Sequence, residues 1–328
     1  MRFRIRKVIC LLLVFLAFPL LFSGCVKQEK VCTGEDKLQI VTTIFPPFDF
    51  ARQISGGKAQ ISMLLKPGME SHSYEPSPAD IIAIENCDLF IYNGGESDVW
   101  VDELLKTINS DTIQILKMMD CVDGLEETAV EGMQGVHSHT HEEEHHHGEG
   151  ETAEYDEHVW TAPLNACAIT RKIAEKMIAL DPNNASTYQN NAENYISLLS
   201  ELDQEIQTIV SEGKRKMILF GDRFPFRYFA DAYNLDYRAA FPGCSAESEP
   251  SAKTVAYLID KARQEKIPNI FYIEFSNLKI ARTLQEETGA IPLLFHSCHN
   301  LSKDEMDKGV TYLELMRKNA ENLKEALN

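Results

Sequence analysis

The sequence predicts an α/β protein of two lobes, each a parallel sheet flanked by helices, joined by one long helix. Three observations carry that reading. Short apolar runs alternate with helical periods in two separate series. A single helical period of roughly 25 residues separates the series. The chain beyond its leader is long enough for two cores.

In the first series, LQIVTTIFPPFDFARQI opens as a buried strand at Leu38, is interrupted at Pro46-Pro47 and continues as a helix. QISMLLKPG reads as a second strand stopped by Pro67-Gly68. Ser77-Pro78 carries the cap-plus-proline signature of a helix start. DLFIYNGG is a third strand, VWVDELLKTI has helical spacing, and TIQILKMM is a fourth strand. From about Cys121 to Tyr155 the rhythm breaks into Glu, Gly and His, as expected of a long insertion. Helical spacing returns at Pro163 and ends at Asp181-Pro182. Tyr188, Ala192, Tyr195, Leu199, Leu202, Ile206 and Ile209 then recur at steps of three and four, which predicts the long helix.

In the second series KMILFGD is a strand, PFRYFADAY a helix and SAKTVAYLIDKARQEK a helix. NIFYIEF is a strand, KIARTLQEETG a helix and IPLLFH a strand, with a last helix from about Lys303 to Leu327. The expected divisions are a leader 1–24, a tether 25–37, an N-terminal lobe 38–181 carrying a His-rich loop 132–154, a linking helix 182–213 and a C-terminal lobe 214–328.

The leader pairs a basic start, MRFRIRK, with an apolar run too short to span a bilayer comfortably, which is the pattern of a secretory signal. Ser23-Gly24-Cys25 resembles the lipobox of bacterial lipoproteins, with Phe22 where that pattern prefers leucine. Cys25 is therefore the expected lipidation site, and the folded part is expected outside the cytoplasm, lipid-anchored to the membrane. The formal net charge is −18, and loss of the leader's four basic residues makes the remainder −22. So acidic a chain repels nucleic acid and attracts cations. Cys32, Cys87, Cys121, Cys167, Cys244 and Cys298 form no CxxC pair, which excludes a zinc ribbon. An exported location permits disulfides, but the pairing is not deducible from spacing.

Six of the ten histidines (His137, His139, His141, His145, His146 and His147) lie in the insertion. The other four, His72, His158, His296 and His299, all fall at predicted strand ends or helix starts, where parallel sheets gather ligands. Imidazole is the commonest protein metal ligand. Acidic residues stand beside these positions, among them Glu70, Glu75, Asp156 and Glu157, with Asp222 and Glu274 at the ends of other strands.

GMESHSYEPSPADIIAIENCDLFIYNG closely resembles the first ligand segment of the zinc- and manganese-binding solute-binding proteins of bacterial ABC transporters. DEHVWTAP resembles that family's second ligand segment, and the likeness runs from about Val41 to the C-terminus with a His-rich loop in the right place. The resemblance implies two α/β lobes joined by a rigid helix, a metal held in the cleft, and a membrane permease and ATPase as partners. A monomer is expected. The resemblance also places Arg223 where the family has its third ligand, and a guanidinium does not bind metal. Either Asp222 serves instead, or Arg223 pairs with an acidic neighbour. Where the family usually has an aspartate as fourth ligand, the alignment puts His296. His72, His158 and His296 then form a three-histidine set, completed by water, Asp222, Glu274 or His299. Such nitrogen-rich ligation favours Zn2+ over Mn2+. Cys244 and Cys298 are open as soft donors or as a pair.

His141-Glu142-Glu143-Glu144-His145 matches the metalloprotease pattern HExxH, but that chemistry needs a packed apolar helix, and the surroundings here are Glu, Gly and His. No nucleophile or oxyanion signature accompanies the histidines, so a zinc hydrolase is disfavoured and no enzyme is expected. An adhesin-like or metal-storage lipoprotein of the same fold is the remaining alternative to transport. The insertion is expected to collect metal weakly near the cleft, or else to act as a solvated spacer.

Overall fold

A computed structural model of the chain describes residues 37–70, 74–108, 112–133, 155–243, 245 and 249–328. The leader, Cys25 and the six insertion histidines lie outside these residues. Among the described residues no helix is long and apolar enough to cross a membrane.

The first sheet holds β1 (Leu38–Thr42), β2 (Ala59–Met63), β3 (Leu89–Tyr92) and β4 (Gln114–Lys117) in the order β2-β1-β3-β4. The second holds β5 (Met217–Phe224), β6 (Asp236–Pro242), β7 (Asn269–Tyr272) and β8 (Ile291–Leu294) in the order β6-β5-β7-β8. Every pairing is parallel. Each sheet thus begins at a central strand, extends to one side and then reverses to the other. That reversal opens a crevice at the carboxyl ends of β1 and β3 in one sheet, and of β5 and β7 in the other.

Helices cover the sheets where the sequence supplies starts and stops. Helix α1 (Phe45–Ser55) carries Pro46 and Pro47 in its first turn. The prolines therefore open the helix and do not interrupt it, because the first-turn N–H groups have no intrahelical acceptor to lose. Helix α2 (Pro78–Glu85) starts on a capping box in which the Ser77 hydroxyl accepts from Asp80 N–H while Asp80 returns to Ser77. Helices α3 (Val99–Leu105) and α4 (Pro163–Leu180) complete the N-terminal part.

Helix α5 (Ala185–Glu212) is 28 residues long. Its buried stripe, Tyr188, Ala192, Tyr195, Leu199, Leu202, Ile206 and Ile209, is the sequence period described above. It packs against α1 and α4 of the first lobe, and against α6 (Arg227–Tyr233) and α10 (Tyr312–Leu327) of the second. One apolar cluster accordingly runs from Phe50 and Trp160 through Leu199 and Leu202 to Phe220 and Phe295.

Helices α7 (Ala252–Gln264), α8 (Lys279–Thr288) and α9 (Lys303–Lys308) finish the second lobe. Two elements differ from expectation. β6 has no counterpart in the sequence reading, since DYRAAFP carries Arg238 and ends in proline. It is an edge strand held by β5 alone. The expected single last helix is two, because Gly309 ends α9 in the left-handed region at φ 71° and Thr311 caps α10 through Glu314.

Candidate metal centre

Loops from the carboxyl ends of both sheets line a partly open cavity of about 30 Å³, room for a water or an ion. Met69 and Glu70 reach it from the loop after β2, Arg223 from β5, Glu274 from the end of β7, and His299 and Asn300 from the loop after β8. His158, ahead of α4, supplies the remaining imidazole. His72 lies outside the described residues, two positions beyond Glu70.

His158 is buried, and its position is set by the residue two before it. Asp156 Oδ1 accepts from the His158 backbone N–H at 2.8 Å and lies 3.2 Å from ring Nδ1. An Nδ1–H donated to that carboxylate leaves Nε2 with its lone pair, which is the tautomer a metal requires. Burial alone lowers the imidazole's pKa, but Asp156, then Glu157 and Glu127, outweigh it and leave His158 raised. Glu157 is wholly buried and accepts from the Ser97 backbone N–H at 2.9 Å and from the Ser97 hydroxyl. Gly95 is needed here: a Cβ would stand 2.6 Å from Glu157. Asp98 lies beneath, accepting from Thr43, Asn93 and Gly94. Burial, reinforced by Glu157, pushes its carboxyl up to about 6 against these bonds.

The two C-terminal histidines part company. His299 faces the cavity, its ring centroid 5.7 Å from that of His158 and 5.1 Å from Trp160. His296 is turned into the protein. Its backbone is clasped by Asn319, and its Nδ1 accepts from Cys298 N–H at 2.9 Å. Its Nε2 makes no hydrogen bond and stands 3.9 Å from Glu305. The chain reverses at Cys298, whose φ is 62°, and the Ser297 hydroxyl accepts from His299 N–H. That turn sends the two rings in different directions.

Glu274 lines the cavity, and its carboxylate accepts from the Ser297 N–H at 2.7 Å and from the Ser297 hydroxyl. Asp222 is not among the lining residues. It accepts from Arg223 N–H at 2.9 Å, and burial raises its carboxyl. Arg223 takes the acidic partner considered above: it donates to Glu70 at 3.0 Å, and also to the Ser245 carbonyl at 3.2 Å. Cys298 is a free, fully buried thiol, and burial followed by Glu274 keeps it well above its ordinary pKa. It is therefore held as a thiol and not as a thiolate donor. Cys244 lies outside the described residues. Among the described residues no three His, Cys, Asp or Glu side chains already stand as a metal cluster.

Two groups were not among the candidate site residues, Asn300 and, within DEHVWTAP, Trp160. Asn300 pins the loop after β2 by donating to the Lys66 and Met69 carbonyls at 2.8 and 2.9 Å. Trp160 donates to the Ser297 carbonyl at 2.8 Å, tying the His158 segment to the His299 loop.

Two parallel sheets whose carboxyl ends meet at one imidazole-lined crevice are the architecture of a bilobal binding protein. The chain belongs to the ZnuA family, the periplasmic component A of a zinc-uptake complex, whose model matches residues 40–326. That is a family of binding components and not of enzymes. The chain is 31% identical over 319 residues to the high-affinity zinc uptake system protein ZnuA of Bacillus subtilis (strain 168), covering 96% of this chain and 97% of that protein. It is also 31% identical over 318 residues to the zinc-binding protein AdcA of Streptococcus pyogenes serotype M18, covering 96% of this chain, but it spans only 61% of that relative. In structure it is similar to the Zn(II)-bound ZnuA-like domain of Streptococcus pneumoniae AdcA, with a TM-score of 0.72, 28% identity, and coverage of 89% and 99% of the two chains.

Proposed function

We propose that the chain is the extracytoplasmic capture component of an ABC transporter, lipid-anchored through Cys25, which binds Zn2+ and delivers it to a membrane permease driven by an ATPase. The cargo is held by His72, His158 and His299. His296, Glu274 and Asp222 shape the surrounding shell. The observation that carries this reading is the pair of imidazoles, His158 and His299, 5.7 Å apart on an ion-sized cavity between the two sheets. Neutral imidazoles favour zinc over manganese, which prefers more oxygen. The relatives' zinc-binding names agree with that choice.

The His-rich insertion, with His137, His139, His141, His145, His146 and His147, is a weak collector that raises local metal concentration. Its deletion is expected to slow acquisition at scarce zinc while leaving the tight site intact. The test of the tight site is chelator competition on a variant lacking residues 136–150, with and without His158→Ala and His299→Ala. Loss of tight zinc binding in the double substitution is expected. Undiminished tight binding overturns the site.

A further inference from the structure

The loop that carries His299 follows the last strand of the second lobe, yet it is bonded to the first. Asn319 of α10 clasps the chain at His296, and Glu274 holds Ser297. Past the reversal at Cys298 the loop crosses over. The His299 carbonyl accepts from Phe45 N–H at 3.2 Å, and the Leu301 carbonyl from Gly68 N–H at 2.7 Å. Asn300, only 2% exposed, donates to the Lys66 and Met69 carbonyls, while its Oδ1 accepts from Leu301 N–H at 2.8 Å. The bond from Phe45 has a local cause. Helix α1 has no side-chain cap, and Pro46 and Pro47 bring no N–H, so Phe45 is the first-turn donor that needs an acceptor. The His299 ring lies against Trp160 and His158, both of the first lobe, and Trp160 reaches back to the Ser297 carbonyl. Farther on the chain stays with α1, where Arg52 donates to the Val310 carbonyl and Asp49 accepts from Tyr312 N–H.

We infer that the His158 and His299 imidazoles form one unit carried by the first lobe, that Asn300 is the residue positioning His299 within it, and that a bound ion leaves past the second-lobe wall of Arg223, Pro225, Glu274 and Phe275. The inference rests on the metal-capture reading above and deepens it. Parting His299 from His158 would strand the Asn300 amide, the Trp160 indole and the carbonyls they serve, and leaving buried donors and acceptors unpaired costs more than such bonds contribute when made. The wall on the other side is tied less firmly. Its ion pair across the cleft, Arg223 with Glu70, is 21% and 43% exposed, and pairs so open to water contribute little.

The native full-length chain supplies the first test. Phe45 N–H and Gly68 N–H end on the loop itself, so their hydrogen exchange reports whether it stays docked. Zinc-loaded and metal-free protein are expected to protect both amides to a similar degree. Protection of both that collapses when zinc is removed overturns the inference, because the loop then leaves the first lobe with the metal. Asn300→Ala is expected to loosen Gly68 N–H and to raise the zinc dissociation rate about 10- to 100-fold, the range for outer groups that orient a ligand, with association little changed. Tyr237→Phe controls for a general loss of stability: it removes a bond to the Thr128 carbonyl, and neither residue lines the cavity. Its zinc release is expected to match the native rate. Native release from Asn300→Ala, or an equal acceleration in Tyr237→Phe, overturns the positioning role. If His158→Ala/His299→Ala still binds zinc tightly, the capture site itself is wrong. If that variant loses zinc but both amides lose protection in the metal-free native chain, this inference alone falls.

Discussion

Asp156→Asn removes one charge from behind the cleft while keeping the shape of the side chain. In the native protein, one carboxylate oxygen serves both the His158 backbone N–H at 2.8 Å and the ring Nδ1 at 3.2 Å, with both side chains about 1% exposed. An amide oxygen can still accept, but it no longer stabilises a positive imidazole or strengthens Nε2 as a donor. Loss of such a carboxylate partner costs about 10- to 100-fold in metal affinity, or roughly 1.4 to 2.7 kcal/mol. The same change acts on the proton. A buried carboxylate at this range raises a histidine, so His158 in the variant should titrate lower. The two effects have opposite signs in pH. Zinc binding weakens at pH 7.5, yet the pH below which protons displace the metal moves down. For the metal-free protein, the raised His158 pKa contributes stability that is full below the unfolded value near 6.5 and lost as pH rises through the folded value. The substitution should flatten that dependence. Chelator competition from pH 5.5 to 8, with denaturation of the metal-free form, measures both. Unchanged affinity together with an unchanged pH midpoint would refute the assignment of Asp156 as the partner that fixes the His158 tautomer.

Asp98→Asn is expected to stabilise the protein at neutral pH. The folded carboxyl sits at about 6 against 3.8, so its cost grows as pH rises between those values, reaching at most about 3 kcal/mol above them. Urea denaturation should show the gain at pH 7.5 and little at pH 4, and equal effects at both pH values would contradict the burial argument. Trp160→Phe keeps the ring packing but leaves the Ser297 carbonyl without its donor, for a loss of about 1 to 3 kcal/mol in the same assay. A variant as stable as the native chain would show that this bond does not hold the two segments together.

Much of the fold was legible because its signals are local. Strand-helix alternation, the Ser77-Pro78 start and the stripe on α5 are written within single segments. β6 was not, since an edge strand carrying Arg238 and ending in proline is recognised only by its pairing to β5. The site divides along the same line. The setting of His158 is local, since Asp156 stands two residues away in the same segment. The different surroundings of His296 and His299 were not legible, because they depend on the reversal at Cys298 and the clasp of Asn319, 23 residues away. Glu70 and Arg223 lie 153 residues apart, and sequence offered Arg223 only an unnamed acidic partner.

The first helix among the described residues depends on the last. Asp49 in α1 is fully buried and accepts from the Tyr312 backbone N–H at 2.7 Å, across 263 residues, while Arg52 donates to the Val310 carbonyl at 2.9 Å. Contacts so distant along the chain form only after a large loss of loop entropy, and they slow folding accordingly. A nascent N-terminal lobe therefore holds a buried aspartate whose backbone partner has yet to be synthesised. The order of synthesis runs forward, but the final locking of the structure waits for α10.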